Sequence, residues 1–208
     1  MAIKLSLRIH KVKCVDETGG AFAERVGNDE IYLGGFAVIN QAGETIKIDP
    51  VSIYPDFDDG DVKVFSPAKL FHTINLSAGE AYPRTYALGL VLVERDRGGM
   101  VEAVKKITDF FEAKLKEKLA QPRPAGLLPV AVGVLLKQAI IIIAPTVISY
   151  VKNTIVQAFA DEIFTPKVAM IELPTKDFTF PGGNSPDETV EFRDHGGIYQ
   201  LTYDWVLS

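Results

Sequence analysis

The fold this chain predicts is mainly β: an antiparallel β-sandwich with one inserted α-helical segment. Three features carry that expectation. Apolar and polar residues alternate near both ends, as in strands buried on one face. Ile3, Leu5, Leu7 and Ile9 stand against Lys4, Ser6, Arg8 and His10, and Tyr199, Leu201, Tyr203 and Trp205 stand against Gln200, Thr202 and Asp204. Short strand-like runs separated by turn signals fill the stretch between. The apolar period lengthens to three and four residues after Gly98-Gly99 and returns to two beyond Phe164-Thr165-Pro166.

The first strand runs from residue 3 to residue 15, with a change of register near Lys11. A second covers Ile31 to Asn40, where Gly34-Gly35 marks a bulge. Gln41-Ala42-Gly43-Glu44 turns the chain into a strand over Thr45 to Ile48. Tyr54 to Asp61 reads as a loop, and Val62, Val64 and Leu70 to Leu76 read as short strands. Thr85 to Glu94 is apolar almost throughout, the pattern of a central strand covered on both faces. Val101, Val104, Ile107, Phe111, Leu115 and Leu119 then mark an amphipathic helix of about six turns. Gln121-Pro122-Arg123-Pro124 ends it. From Pro124 to Tyr150 the only charge is Lys137; Pro145 is expected to break or kink the run, with a further helix over Thr146 to Ala160. Strands resume at Lys167–Leu173, Thr189–Phe192 and Ile198–Leu207. The last strand belongs beside the first, so one domain is expected. Its sandwich comprises 1–98 and 164–208, the helical insertion of residues 99–163 sits at one end, and the strands should be complete without it.

Composition narrows the function. A chain of 208 residues can bury one sizeable core. Its net charge of -5 argues against nucleic acid, which wants clustered Lys and Arg. The single cysteine, Cys14, cannot form an internal disulfide, and between Val12 and Val15 it reads as a buried, inert thiol. No uninterrupted apolar run follows Met1, so the expected location is the cytoplasm, or outside it by export without a cleaved signal peptide. The sequence has no Gly-x-Ser-x-Gly elbow, Walker loop, dinucleotide fingerprint or zinc-ligand spacing, and no enzyme is expected. Asp194-His195-Gly196-Gly197 reads as a turn. Asp56-Phe57-Asp58-Asp59-Gly60-Asp61 places Pro67 where an EF-hand needs its bidentate Glu, so it too reads as a polar turn.

Two acidic turns close strand-like runs. Asp16-Glu17 and Asn28-Asp29-Glu30 flank the first loop, and Glu94-Arg95-Asp96 follows the central strand. Carboxylates gathered at one end of a sandwich suit a hard cation such as calcium, which takes about six to eight oxygens. The order of motifs resembles the calcium-dependent lipid-binding sandwich domains of protein kinase C and synaptotagmin. The residues that carry the likeness are Asn28-Asp29-Glu30-Ile31-Tyr32-Leu33, Val93-Glu94-Arg95-Asp96, Ala160-Asp161-Glu162-Ile163-Phe164 and Tyr203-Asp204-Trp205, within residues 3–96 and 161–207. The resemblance implies that Asp16, Asp29, Glu94, Asp96 and Asp161 converge as calcium ligands, and that the loop holding the insertion touches a bilayer. This sequence departs from the family pattern at Glu94, where Asp is usual, at Ile31, where proline is usual, and by the inserted residues 97–160.

The apolar run is the other feature that needs a partner. Leu127–Leu136 and Ala139–Tyr150 together approach the roughly 20 residues of a membrane span, but Pro129, Lys137 and Pro145 divide them. The amphipathic helix, a second copy of the chain through self-association, or lipid must cover it. The expectation is a non-enzymatic binding module, calcium-binding, that engages a membrane or a protein partner through its insertion. The alternative is a pore-forming or toxin-like protein whose helices enter the membrane.

Overall fold

The central strand is buried along its whole length, and the layers follow from covering it. A computed structural model describes residues 4–18, 28–76, 82–95, 99–121, 132–159 and 162–208. In chain order the first elements are β1 (Lys4–Asp16), β2 (Asp29–Val38), β3 (Thr45–Phe57), β4 (Val62–Asn75) and β5 (Arg84–Glu94). Next come α1 (Met100–Leu119) and α2 (Val132–Tyr150), which continues as a π-helical stretch (Val151–Ile155) and a last turn, α3 (Val156–Ala158). The chain closes with β6 (Glu162–Ile163), β7 (Lys167–Leu173), β8 (Glu188–Asp194) and β9 (Gly197–Leu207). Every residue of β5 is buried.

Two antiparallel sheets form the sandwich. Sheet A has the order β4-β1-β9-β8; sheet B has the order β3-β2-β5, with β6 and β7 both on the far edge of β5. The terminal strands pair as the alternation requires: Leu7 lies opposite Trp205, Ile9 opposite Tyr203 and Val12 opposite Leu201. Ile9 and Val12 are three residues apart, yet both are fully buried. An extra residue must be absorbed between them, and β1 shifts register there against both neighbours. From sheet B, Leu33, Tyr86, Leu88, Leu90 and Leu92 complete this core.

Two segments differ from expectation for one reason. β3 continues to Phe57 through the presumed loop, and β4 is one long strand. Pro50, Pro55 and Pro67 look like breakers in the sequence, but β3 and β4 are edge strands, where a missing N–H removes no ladder bond.

The insertion is not at one end. It lies flat on the outer face of sheet B, where Phe36, Val38, Ala87, Val91 and Val93 pack against Val104, Ile107 and Phe111 of α1 and Ile140, Ile143 and Val147 of α2. Phe36 and Phe111 meet with ring centroids 4.2 Å apart. Glycine makes that contact possible: a Cβ at Gly89 would stand 2.2 Å from the Phe36 ring. Polar contacts fix the angle of the layer. Thr45 donates from both its N–H (3.0 Å) and its hydroxyl to Glu112, and the Thr85 hydroxyl donates to the Gly133 carbonyl at 2.8 Å.

α2 runs on through Pro145. The bond that proline cannot make belongs to the carbonyl of Ile141, a residue on the solvent side, where water can take the vacant acceptor. Farther along, the buried Val147, Val151 and Ile155 recur every four residues. In a 3.6-residue helix that spacing drifts by about 40° per step, and the wider π turn takes up the drift. This packing argues against the expectation that the strands are complete without the insertion. Stripping the helices would expose Phe36, Val91 and Val93, at about 1.5–3 kcal/mol each.

Phe111→Ala should lower the unfolding free energy by about 3–5 kcal/mol in urea melts, whereas Ile142→Ala, on the opposite side of the helical layer, should change it by less than about 0.5 kcal/mol. Replacing residues 99–160 with a Gly/Ser linker should abolish the cooperative melt rather than leave a folded sandwich.

Candidate functional site

The acidic turns meet where β1 and β5 end and β2 begins. Asp16 is exposed at the end of β1, opposite Ile198. Glu94 ends β5; it is buried and lies opposite Ile31 and Glu162. Asp29 opens β2 and points inward, 6% exposed. Its carboxylate accepts hydrogen bonds from the Thr18 N–H at 2.8 Å, the Thr18 hydroxyl at 3.0 Å and the Tyr199 hydroxyl. Asp96 and Asp161 lie outside the described residues. Three of the five expected ligands thus share one end of the sandwich. Among the described residues no three ligating side chains at this end bring their ligand atoms within 4.8 Å of one another.

Asp29 does not fit the part of a calcium ligand, because its oxygens are engaged by the fold and shut off from water. Its work is to tie the β1–β2 connection to β9. Burial, then the adjacent Asp29 carboxylate, raises the Tyr199 pKa far above its ordinary value, so the hydroxyl is a permanent donor. Burial likewise pushes the Cys14 thiol up to about 12, which removes it as a nucleophile at neutral pH.

Of the run from Asp56 to Asp61, Asp56 and Phe57 end β3, and Asp58 to Asp61 form the polar turn into β4. Asp58 Oδ1 accepts from the Asp59 N–H at 2.8 Å and Asp61 Oδ2 from the Asp58 N–H at 3.2 Å. The turn is fastened to β1 through Cys14 N–H to the Asp61 carbonyl (2.9 Å) and Glu17 N–H to Asp59 Oδ1 (2.8 Å). His195 and Gly196, with φ of 56° and 87°, form the two-residue turn between β8 and β9. The His195 ring lies 3.1 Å from the Ile163 carbonyl, while Asp194 accepts from the Thr165 N–H at 2.7 Å. Both clip the β8–β9 turn to the stretch from β6 to β7.

A different surface stands out on α2. Ile141 and Ile142 are each 55% exposed and Pro145 is exposed beside them, with Lys137 toward one end of the same face and, at the other, Lys152 of the π-helical stretch, 3.8 Å from Asp194. Lys137, Ile141, Pro145, Ile148 and Lys152 follow three- and four-residue spacing, which places them in one file. Phe110 and Tyr150 stack at 3.9 Å along the seam with α1. The sequence marks the whole run as apolar but does not separate these residues from the buried Ile140 and Ile143. Counting back from Val147 by four residues to Ile143 and by three more to Ile140 would have separated them.

Asp29→Asn should cost about 2 kcal/mol of stability by weakening charge-assisted bonds, while Asp16→Asn in calcium-free buffer should stay within about 0.5 kcal/mol. Iodoacetamide should label Cys14 only under conditions that unfold the whole protein.

No family model matches the chain, and no curated protein sequence matches it. Among solved structures, a C2 domain protein from Ramazzottius varieornatus is similar over 99% of this chain and 90% of that one, at 8% identity and a TM-score of 0.32. An overlap that loose carries neither fold nor function across, and the functional reading rests on the chain's own geometry.

Proposed function

We propose that this chain is a non-enzymatic binding module that docks on an anionic membrane surface through the outward face of α2. One observation carries the reading: no Asp or Glu occurs between Glu117 and Asp161, and within that interval α2 turns Ile141, Ile142 and Pro145 to solvent between two lysines. The charge of the whole chain is divided accordingly. Residues 99–159 hold eight Lys and Arg against four Asp and Glu, net +4, whereas the remainder holds fourteen against twenty-three, net -9. An anionic surface attracts the helical layer and repels the rest, which orients the protein.

The magnitudes describe a peripheral contact. Burying the exposed parts of two isoleucines contributes about 1 kcal/mol each, and each lysine near an anionic leaflet adds about 1 kcal/mol. A total of about 4 kcal/mol gives weak, reversible, salt-sensitive attachment. The pore-forming reading draws on a second observation: Gly133–Ala158 is a helix long and apolar enough to cross a bilayer, with only 33% of its most apolar stretch buried. Crossing would pull α2 off sheet B and uncover Val91 and Val93, so surface docking is the cheaper state. Calcium, on this reading, would draw on Asp16 and Glu94 with Asp96 and Asp161, since Asp29 is committed elsewhere.

Co-sedimentation with phosphatidylcholine vesicles, with and without phosphatidylserine, tests the proposal. Binding should need phosphatidylserine, fall with added salt, and drop by about tenfold or more in Ile141→Asp/Ile142→Asp, whose sites are exposed enough to leave the fold intact. Failure of the parent protein to sediment, or equal sedimentation of the variant, would contradict it. Release of an entrapped dye would favour the pore. Binding lost in chelator would add calcium to the mechanism.

A further inference from the structure

We propose that His10, Asp187 and Asp204 form a binding site for one divalent cation of the zinc class on the outer face of sheet A, away from the acidic end. His10 lies midway along β1. Asp204 lies on the neighbouring β9, in register with Arg8. Asp187 comes from the segment just before β8. That segment is strapped to the end of β9: the Ser185 N–H donates to the Trp205 carbonyl at 2.8 Å, and the Trp205 N–H donates to the Ser185 hydroxyl at 2.9 Å. The strap delivers Asp187 over the sheet. His10 Nε2 then lies 3.2 Å from Asp204 Oδ2 and 3.7 Å from Asp187 Oδ1, with ligand atoms of all three residues within 4.8 Å of one another.

Two observations point to a cation among them. First, His10 Nε2 is closed off from solvent and faces carboxylate oxygens on two sides, Asp204 Oδ2 at 3.2 Å and Asp187 Oδ1 at 3.7 Å. Second, the spacing is that of ligands around a metal. Tetrahedral zinc, with nitrogen and oxygen at about 2.0–2.2 Å, sets neighbouring ligand atoms about 3.3–3.5 Å apart. The two distances bracket that value, and Asp187, with its side chain 59% exposed, is free to close the few tenths of an ångström required.

Arg8 supports the site. Its Nε donates to Asp204 Oδ1 at 2.9 Å and its Nη2 to Oδ2 at 2.5 Å, which fixes the plane of a carboxylate that is 0% exposed. Outer partners of this kind orient metal ligands. Burial alone would raise the Asp204 pKa, but the bonds from Arg8 and His10 together outweigh it and hold the carboxyl below its ordinary value. Two carboxylates set against one guanidinium give the cluster a negative balance that attracts a divalent ion. The imidazole nitrogen selects a borderline metal over calcium, which takes oxygen alone. Water completes the coordination.

Titration calorimetry of the full chain with zinc chloride near pH 7.5, repeated with cobalt to read the visible band of tetrahedral cobalt, tests the site. The expected result is one zinc per chain, at least about tenfold weaker in His10→Gln and in Asp187→Asn, with the cobalt band lost in both. Asp187 is exposed, so its replacement leaves the fold intact and a loss there is not a folding artefact. No binding at submillimolar zinc would overturn the proposal, as would equal binding by both variants, which would assign the metal to His72 or His195.

Discussion

The arrangement of this protein depends on one strand that cannot face water on either side. Along β5, Tyr86, Leu88, Leu90 and Leu92 point one way and Ala87, Val91 and Val93 the other, all of them buried. An antiparallel sheet commonly keeps one solvated face; along β5 sheet B has none. The first set requires sheet A, which is why the two chain termini pair as β1 and β9. The second set requires the helices, which is why α1 and α2 lie against sheet B as a third layer. The Phe36–Phe111 contact, made over a glycine at position 89, is where strand and helix chemistry meet most closely.

That requirement also gives the helical layer two sides with different duties. α1 meets water with an ordinary mixture of charges, including the Lys105–Asp109 and Lys116–Glu112 pairs, each worth only a few tenths of a kcal/mol on an exposed helix. α2 has no such mixture: it is apolar toward sheet B and apolar in part toward solvent. A helix apolar on both sides has a second surface to cover, and α2 itself carries no Asp or Glu on that surface. The acidic end serves the fold more than a ligand, since Asp29, Asp58, Asp59 and Asp61 spend oxygens on backbone and hydroxyl donors.

Much of this could be read from the chain. Period-two alternation located β1 and β9 and the face each turns inward, and the unbroken apolar run marked β5 as covered on both sides. The bulges near Lys11 and Gly34-Gly35 were visible as breaks in alternation and as a glycine pair. What failed shares one cause: the sequence does not say what lies beside a segment. Pro50, Pro55 and Pro67 are tolerated because β3 and β4 are edges, and Pro145 because its missing bond faces solvent. The place of the insertion could not be read either, although the outward-facing half of β5 required a cover. At the acidic end, Asp29 looks like any loop carboxylate; its role comes from Tyr199, 170 residues away. Asp204 lies in an alternating polar position, and nothing local signals that Arg8 and His10 enclose it.

Native-state hydrogen exchange of the amides of β5, α1 and α2 tests most directly the claim that sandwich and helical layer are one cooperative unit. The account predicts that the slowest amides of β5 and those of α1 facing it exchange only through global unfolding, with the same opening free energy and the same denaturant dependence. Exchange of α1 and α2 through a partial opening that leaves β5 protected would contradict it, because β5 would then tolerate the loss of its outer cover.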